Sequence, residues 1–217
     1  NTLLGELQAT GVVLDFTQRN QWTFNPTWTR TLTETLSVQS GVQFSDTTYE
    51  SARLVDYRLV GGSGGLLYHL SERDQIQLLG SYTHFRTTDS PFGFQASFPG
   101  INMSLTHAFS ESLTGTLNGG PRFLSSTSQT PLGDITARDT VWLAGASMTK
   151  QFERAALHVS FARDLTPSGF GLLIQTHRGE VTGTYRISET LDFTLTGLGV
   201  LASGKTKSAI GRTFPDS

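Results

Sequence analysis

Phe109-Ser110-Glu111-Ser112-Leu113-Thr114-Gly115-Thr116-Leu117-Asn118-Gly119 is a turn signal followed by strict alternation. Leu113, Gly115, Leu117, Gly119 and Phe123 share one parity, and Thr114, Thr116, Asn118 and Arg122 share the other. Side chains along a strand point alternately to opposite faces, so this segment has one greasy and one wetter side. The same signature recurs as Leu32-Thr33-Glu34-Thr35-Leu36, as Leu70-Ser71-Glu72 leading to Ile76, and as Ile187-Ser188-Glu189-Thr190-Leu191. A looser copy is Phe152-Glu153 leading to Leu157. Successive glutamates of the repeat stand 38, 39, 42 and 36 residues apart.

That period is what one membrane-crossing hairpin needs. A tilted spanning strand takes about 9–11 residues. Two such strands with one short turn and one longer loop make roughly 35–40 residues. Solenoids and propellers share the period range, but no WD, kelch or helical-repeat signature accompanies the copies. Alternation continues elsewhere. Leu36, Val38, Val42 and Phe44 oppose Ser37, Gln39, Gln43 and Ser45, while Leu157, Val159 and Phe161 oppose His158 and Ser160. Leu191, Phe193, Leu195, Gly197 and Gly199 oppose Asp192, Thr194 and Thr196. Before the turns, Val55, Tyr57 and Leu59 oppose Asp56 and Arg58, and Ile101, Met103 and Leu105 oppose Asn102, Ser104 and Thr106.

Composition agrees. Of 217 residues only 16% are charged, with 16 Lys plus Arg against 18 Asp plus Glu, so no basic excess points to nucleic acid. Thr, Ser, Gly and Gln fill the space. Cysteine is absent, which excludes disulfides, thiol nucleophiles and zinc–thiolate sites. No run of about 18 apolar residues could form a spanning helix. A membrane crossing would therefore need a closed barrel, which satisfies every backbone group. The chain begins at Asn1 with no visible signal peptide, which reads as a processed or trimmed form.

The expected fold is all-β: a transmembrane antiparallel up-and-down β-barrel of about 12 strands, one domain over residues 1–217 whose terminal strand is incomplete. The expected strands are 3–16, 21–31, 35–46, 53–69, 75–87, 94–108, 112–125, 138–150, 155–164, 170–186, 190–202 and 206–214. A parity change near Gly11 suggests a bulge. The Ser-Glu turns are short, and the connections at 45–52, 87–93 and 125–138 read as longer loops. Short turns normally face the periplasm and long loops the exterior. Trp28, Tyr68, His107 and Tyr185 lie beside the short turns; Trp22, Phe44, Tyr82, Phe161 and Phe170 lie near the other rim. Two aromatic belts are expected there, as anchors at the two membrane interfaces. The competing reading is a soluble β-sandwich or calycin-like binder with these aromatics in its core.

The Phe-Ser-Glu-Ser-Leu and Ile-Ser-Glu-Thr-Leu turns, each followed by Thr-rich alternation, resemble those of Gram-negative outer-membrane β-barrel proteins of the porin-like kind. The pattern also looks like barrels encoded beside exopolysaccharide-export genes. The resemblance covers nearly the whole chain. It implies location in the cell outer membrane and transfers no catalytic residue.

Candidate site residues form a band of charge. Arg58, Arg86, Arg122 and Arg178 lie 11 to 14 residues from the nearest repeated glutamate, with Asp56 and Glu180 two residues from Arg58 and Arg178. By parity Arg58, Arg122 and Arg178 are expected inward, roughly 25–35 Å from the short turns. Such a band either filters anionic solutes or only hydrates and stiffens the wall. Arg163, with outward parity, is placed to meet lipid phosphates or to sit solvated at a loop base. The five histidines show no metal-ligand spacing. His158 and Ser160 share a face, a thin motive for a lipid hydrolase. Gly61-Gly62-Ser63-Gly64-Gly65 lacks the Lys and helix of a phosphate loop; it and Gly119-Gly120 read as strand bends or as room for a large side chain. No enzyme activity, cofactor, metal or nucleic-acid partner is expected. The expected partners are outer-membrane lipid and lipopolysaccharide, small polar solutes, and proteins of an envelope complex. The expected function is a channel for small polar or anionic solutes, with a structural, docking or export barrel as the alternative.

Overall fold

The Ser-Glu repeats fold as turns because a hydroxyl replaces the missing backbone partners. In the second repeat, the Ser71 hydroxyl accepts the N–H groups of Arg73 and Asp74 at 3.1 and 3.0 Å and donates to the Asp74 carboxylate at 2.7 Å. In the first, Thr33 accepts from Leu36 at 3.0 Å, and the Ser110 and Ser188 hydroxyls accept from Ser112 and Thr190, both at 3.4 Å. Such hydroxyl turns compete locally with ladder bonding and so end strands. The repeated glutamates point into solvent.

A computed structural model describes residues 18–51, 54–88, 93–130, 133–167 and 173–203. Twelve strands form one sheet: β1 (Arg19–Phe24), β2 (Thr27–Thr31), β3 (Leu36–Tyr49), β4 (Asp56–His69), β5 (Asp74–Thr88), β6 (Phe94–Ser97), β7 (Gly100–Ser110), β8 (Leu113–Thr130), β9 (Gly133–Gln151), β10 (Ala155–Pro167), β11 (Leu173–Ser188) and β12 (Leu191–Ser203). All described ladders are antiparallel. Two pairs of strands lie end to end. β1 and β2 both pair with β3, and β6 and β7 both pair with β5 and β8. Each interruption falls at a proline, Pro26 or Pro99, which has no N–H for the ladder. Their carbonyls still accept, from Val42 at 3.1 Å and Phe123 at 2.9 Å, so the register continues unbroken past both. The expected single strands 21–31 and 94–108 are therefore each two strands on one course. The expected strands 3–16 and 206–214 lie outside the described residues, as does the Gly11 parity change.

The sheet curls on itself. Leu165 of β10 and Leu173 of β11 pack into one apolar cluster with Tyr57, Phe85 and Phe94 of β4, β5 and β6. Four neighbour steps separate β5 from β10, which in a flat sheet would be about 19 Å at the usual strand spacing. Among the described residues no ladder joins β1 or β2 to β12. The outer face is apolar over most of its extent. Leu117, Phe123, Trp142, Val159, Phe161, Phe193 and Leu195 all stand exposed on it.

Two expectations are corrected. The stretch 125–138 is not a long loop: β8 and β9 stay paired up to Thr130 and Gly133, so the hairpin continues well past a bilayer's thickness. The loop-end connections are thus less uniformly long than the sequence suggests. Second, the apolar set of β4 changes face along the strand. Leu66 and Tyr68 are exposed outside, but Tyr57 and Leu59 turn inward and are buried, which places Arg58 outside.

Candidate functional site

The inner face has two zones. Toward the Ser-Glu turns it is polar, and its hydroxyls and amides bond across the ladders. Thr106 meets Thr116 at 3.0 Å, Thr182 meets Thr196 at 3.2 Å, Thr184 meets Thr194 at 3.3 Å, and the Gln77 amide donates to Gln39. These bonds hold the hydroxyls along the wall while leaving their second lone pairs for water. Arg122 of β8 reaches across β7 to the hydroxyl of Ser81 on β5, and Arg178 pairs with Glu180 at 3.3 Å. Both arginines face inward, as their ladder partners require.

Toward the loop end the inner face becomes dry. Tyr57, Leu59, Phe85, Phe94, Ala96, Phe98 and Leu173 form a buried cluster, with Tyr49, Leu124 and Leu165 against it. Phe85 is 0% exposed. Its ring lies 5.5 Å from Tyr57 and 5.8 Å, edge on, from Phe94, and Tyr57 lies 6.4 Å from Tyr49. These separations suit favourable aromatic pairs. Arg19 donates to the Tyr57 hydroxyl at 3.2 Å. Because its members come from β3 through β11, the cluster crosses the lumen and does not merely coat one wall. The sequence signal for it is the parity switch: Tyr57 and Leu59 are odd where Val60, Leu66 and Tyr68 are even, and Phe85 is odd where Ile76, Leu78 and Tyr82 are even.

The structure divides the expected charge band. Arg122, Arg178 and Glu180 lie in the lumen. Arg58 and Arg86 stand opposite each other on the outer face. The inward placement expected of Arg58 is therefore wrong: it donates through Nε to Asp46 of β3 at 2.8 Å and lies over the Phe44 ring, 5.8 Å from its centroid. Asp56 does not pair with Arg58; its carboxylate accepts the backbone N–H of Tyr49 at 2.8 Å. Arg163 has outward parity and donates to Gln175 at 3.2 Å. Trp22, Trp28, Tyr68, Tyr82, Phe161 and Tyr185 are all exposed, while Phe170 lies outside the described residues.

The remaining polar candidates have local partners. His158 shares a hydrogen bond with Thr149 at 2.9 Å, and Ser160 faces Ser147 and Glu180 in the ladders. His107 lies 2.7 Å from the carboxylate of Asp74 in the second Ser-Glu turn. Ser71 and then His107 hold that carboxyl below the ordinary carboxylate range. Among the described residues no three His, Asp or Glu side chains gather as a metal site would need.

No family model matches the sequence, and no curated protein matches it. Solved structures do. The ferric preacinetobactin receptor BauA of Acinetobacter baumannii superimposes at a TM-score of 0.57 with 11% identity, over 85% of this chain and 38% of the receptor. The CymD monoaromatic hydrocarbon channel gives 0.46 at 10% identity, over 83% of this chain and 69% of that one. The translocator domain of the autotransporter NalP of Neisseria meningitidis gives 0.43 at 15%, over 87% and 76%. The chain thus spans well under half the length of the receptor it matches. What is shared is architecture: one antiparallel all-β sheet with the fold of outer-membrane barrels.

Proposed function

We propose that this chain sits in the outer membrane of a Gram-negative cell and conducts small polar solutes along its lumen. The observation that carries this reading is the polar inner wall, built from Thr106, Thr116, Thr182, Thr196, Gln39 and Gln77, opposite an apolar outer wall. A wall of this kind keeps water in the bore and hydrocarbon outside. Arg122 and Arg178 bias the bore toward anionic solutes, and Glu180 offsets part of that bias. Small anions are thus tolerated more than selected. Folded protein in planar bilayers tests the proposal. Discrete conductance steps are expected, and a folded barrel that never passes current would end it.

A second reading has its own observation. The apolar cluster crossing the lumen suits a barrel that anchors or docks a larger envelope assembly, including an export assembly, without conducting. That reading expects a stable protein partner in detergent extracts of native membranes. Recovery of free barrel alone would count against it.

A further inference from the structure

Arg58 and Arg86 stand directly opposite each other across β4 and β5 on the outer face. Like charges opposite one another in an antiparallel pair repel. The protein supplies little to offset that. Asp46 takes the Nε of Arg58, leaving the terminal nitrogens of that guanidinium open. Arg86 has no ion-pair or hydrogen-bond partner among the described residues. Asp56, the outward acid of β4 two residues from Arg58, already accepts from the Tyr49 backbone.

The surroundings are graded. Trp22, Asp46, Arg58 and Arg86 form one row across β1, β3, β4 and β5. Toward the Ser-Glu turns lie Phe24, Phe44 and Val60, then Val42 and Tyr82, all exposed. The surface therefore passes from cationic to apolar within a few residues, the same order as headgroup and acyl chain in a lipid. A charge on a membrane-facing wall is costly unless something pairs with it. A lipid phosphate accepts several hydrogen bonds at once, and the guanidinium fork matches its oxygens.

We propose that Arg58 and Arg86 clamp the phosphate of an anionic membrane lipid whose acyl chains lie along Phe44, Val60 and Tyr82. The proposal rests on the membrane reading of the outer face and is independent of conduction. The full chain, folded into phosphatidylcholine vesicles with and without a bisphosphorylated glycolipid, tests it. The glycolipid is expected to raise the unfolding temperature by several degrees, and native mass spectrometry to retain it on the barrel. Arg86→Gln removes no hydrogen bond or ion pair among the described residues, so it is expected to fold and to lose most of that shift. Arg58→Gln is expected to lose it too, and Arg73→Gln, at the opposite end, to keep it. An Arg86→Gln barrel with the full parental shift overturns the clamp. So does an equal shift from inorganic phosphate with no glycolipid, which would mark a site for free anions. A chain that never enters the vesicles would instead sink the membrane reading, and the clamp with it.

Discussion

At the residue scale, two glycines show why Gly61 to Gly65 is built as it is. A Cβ on Gly65 would overlap the carbonyl of Leu78, and one on Gly61 would come within 2.8 Å of the carbonyl of Tyr82. Both are backbone atoms of β5 and cannot swing aside. Gly62 and Gly64, on the outer face, meet nothing closer than 3.7 and 4.0 Å. Gly65→Ala is therefore expected to cost about 1–3 kcal/mol, as overpacking does. Gly64→Ala is expected to be neutral or slightly stabilising, because alanine narrows the unfolded ensemble. Urea unfolding of the two variants in micelles checks the contrast, and equal losses would remove the close-approach explanation. The sequence marks this stretch as a bend or as room for a large side chain, whereas at Gly61 and Gly65 the space is taken by the β5 backbone. Arg58 teaches the same limit: alternation tells that Tyr57 and Arg58 oppose each other, but not which of them faces the lumen. The usual rule, apolar outward, fails where the lumen itself is dry.

At the element scale, the turns were the most legible feature. Their Ser or Thr followed by Glu marks the strand ends within a residue or two, because the hydroxyl closes the turn. Asp74 extends that chemistry. Its carboxyl is held below the ordinary range first by Ser71 and then by His107, so its charged form belongs to the folded state. The resulting stabilisation is full above the unfolded carboxyl value of about 3.9 and is lost as pH falls through that value and then through the lower folded one. Ser71→Ala is expected to raise the Asp74 pKa toward its ordinary value, read by NMR titration of the carboxyl carbon. An unchanged titration would show that the turn hydroxyl does not hold the charge. The interrupted strands were less legible. Pro26 and Pro99 were visible in the sequence, yet the course continues through each because the neighbouring strand needs only the proline's carbonyl there. The β8–β9 extension was hidden for a different reason: Ser125 to Thr130 and the outward residues Asp134, Thr136 and Arg138 are polar, so no apolar stripe marks these strand ends.

At the scale of the whole molecule, a polar inner wall and an apolar cluster oppose each other, and on the proposed channel reading the cluster governs how much the bore conducts. Burying a Phe side chain contributes roughly 1.5–3 kcal/mol, and several rings gain this together at the loop end. Water enters such an apolar constriction reluctantly, so a narrow dry ring stops ions without touching them. Phe85 lies at the centre of the ring set, between Tyr57 and Phe94. Phe85→Ala is expected to raise single-channel conductance several-fold over a small parental value. Phe123→Ala, on the outer wall, is expected to change nothing in the bore. Truncating a buried Phe costs about 3–5 kcal/mol, so heat-modifiable gel migration must first show that the variant is folded. A folded Phe85→Ala barrel that conducts like a freely conducting parent would mean that the cluster does not limit flow. Silence from both folded proteins would shift the weight to the docking reading, in which the dry crossing of the lumen is a permanent stopper.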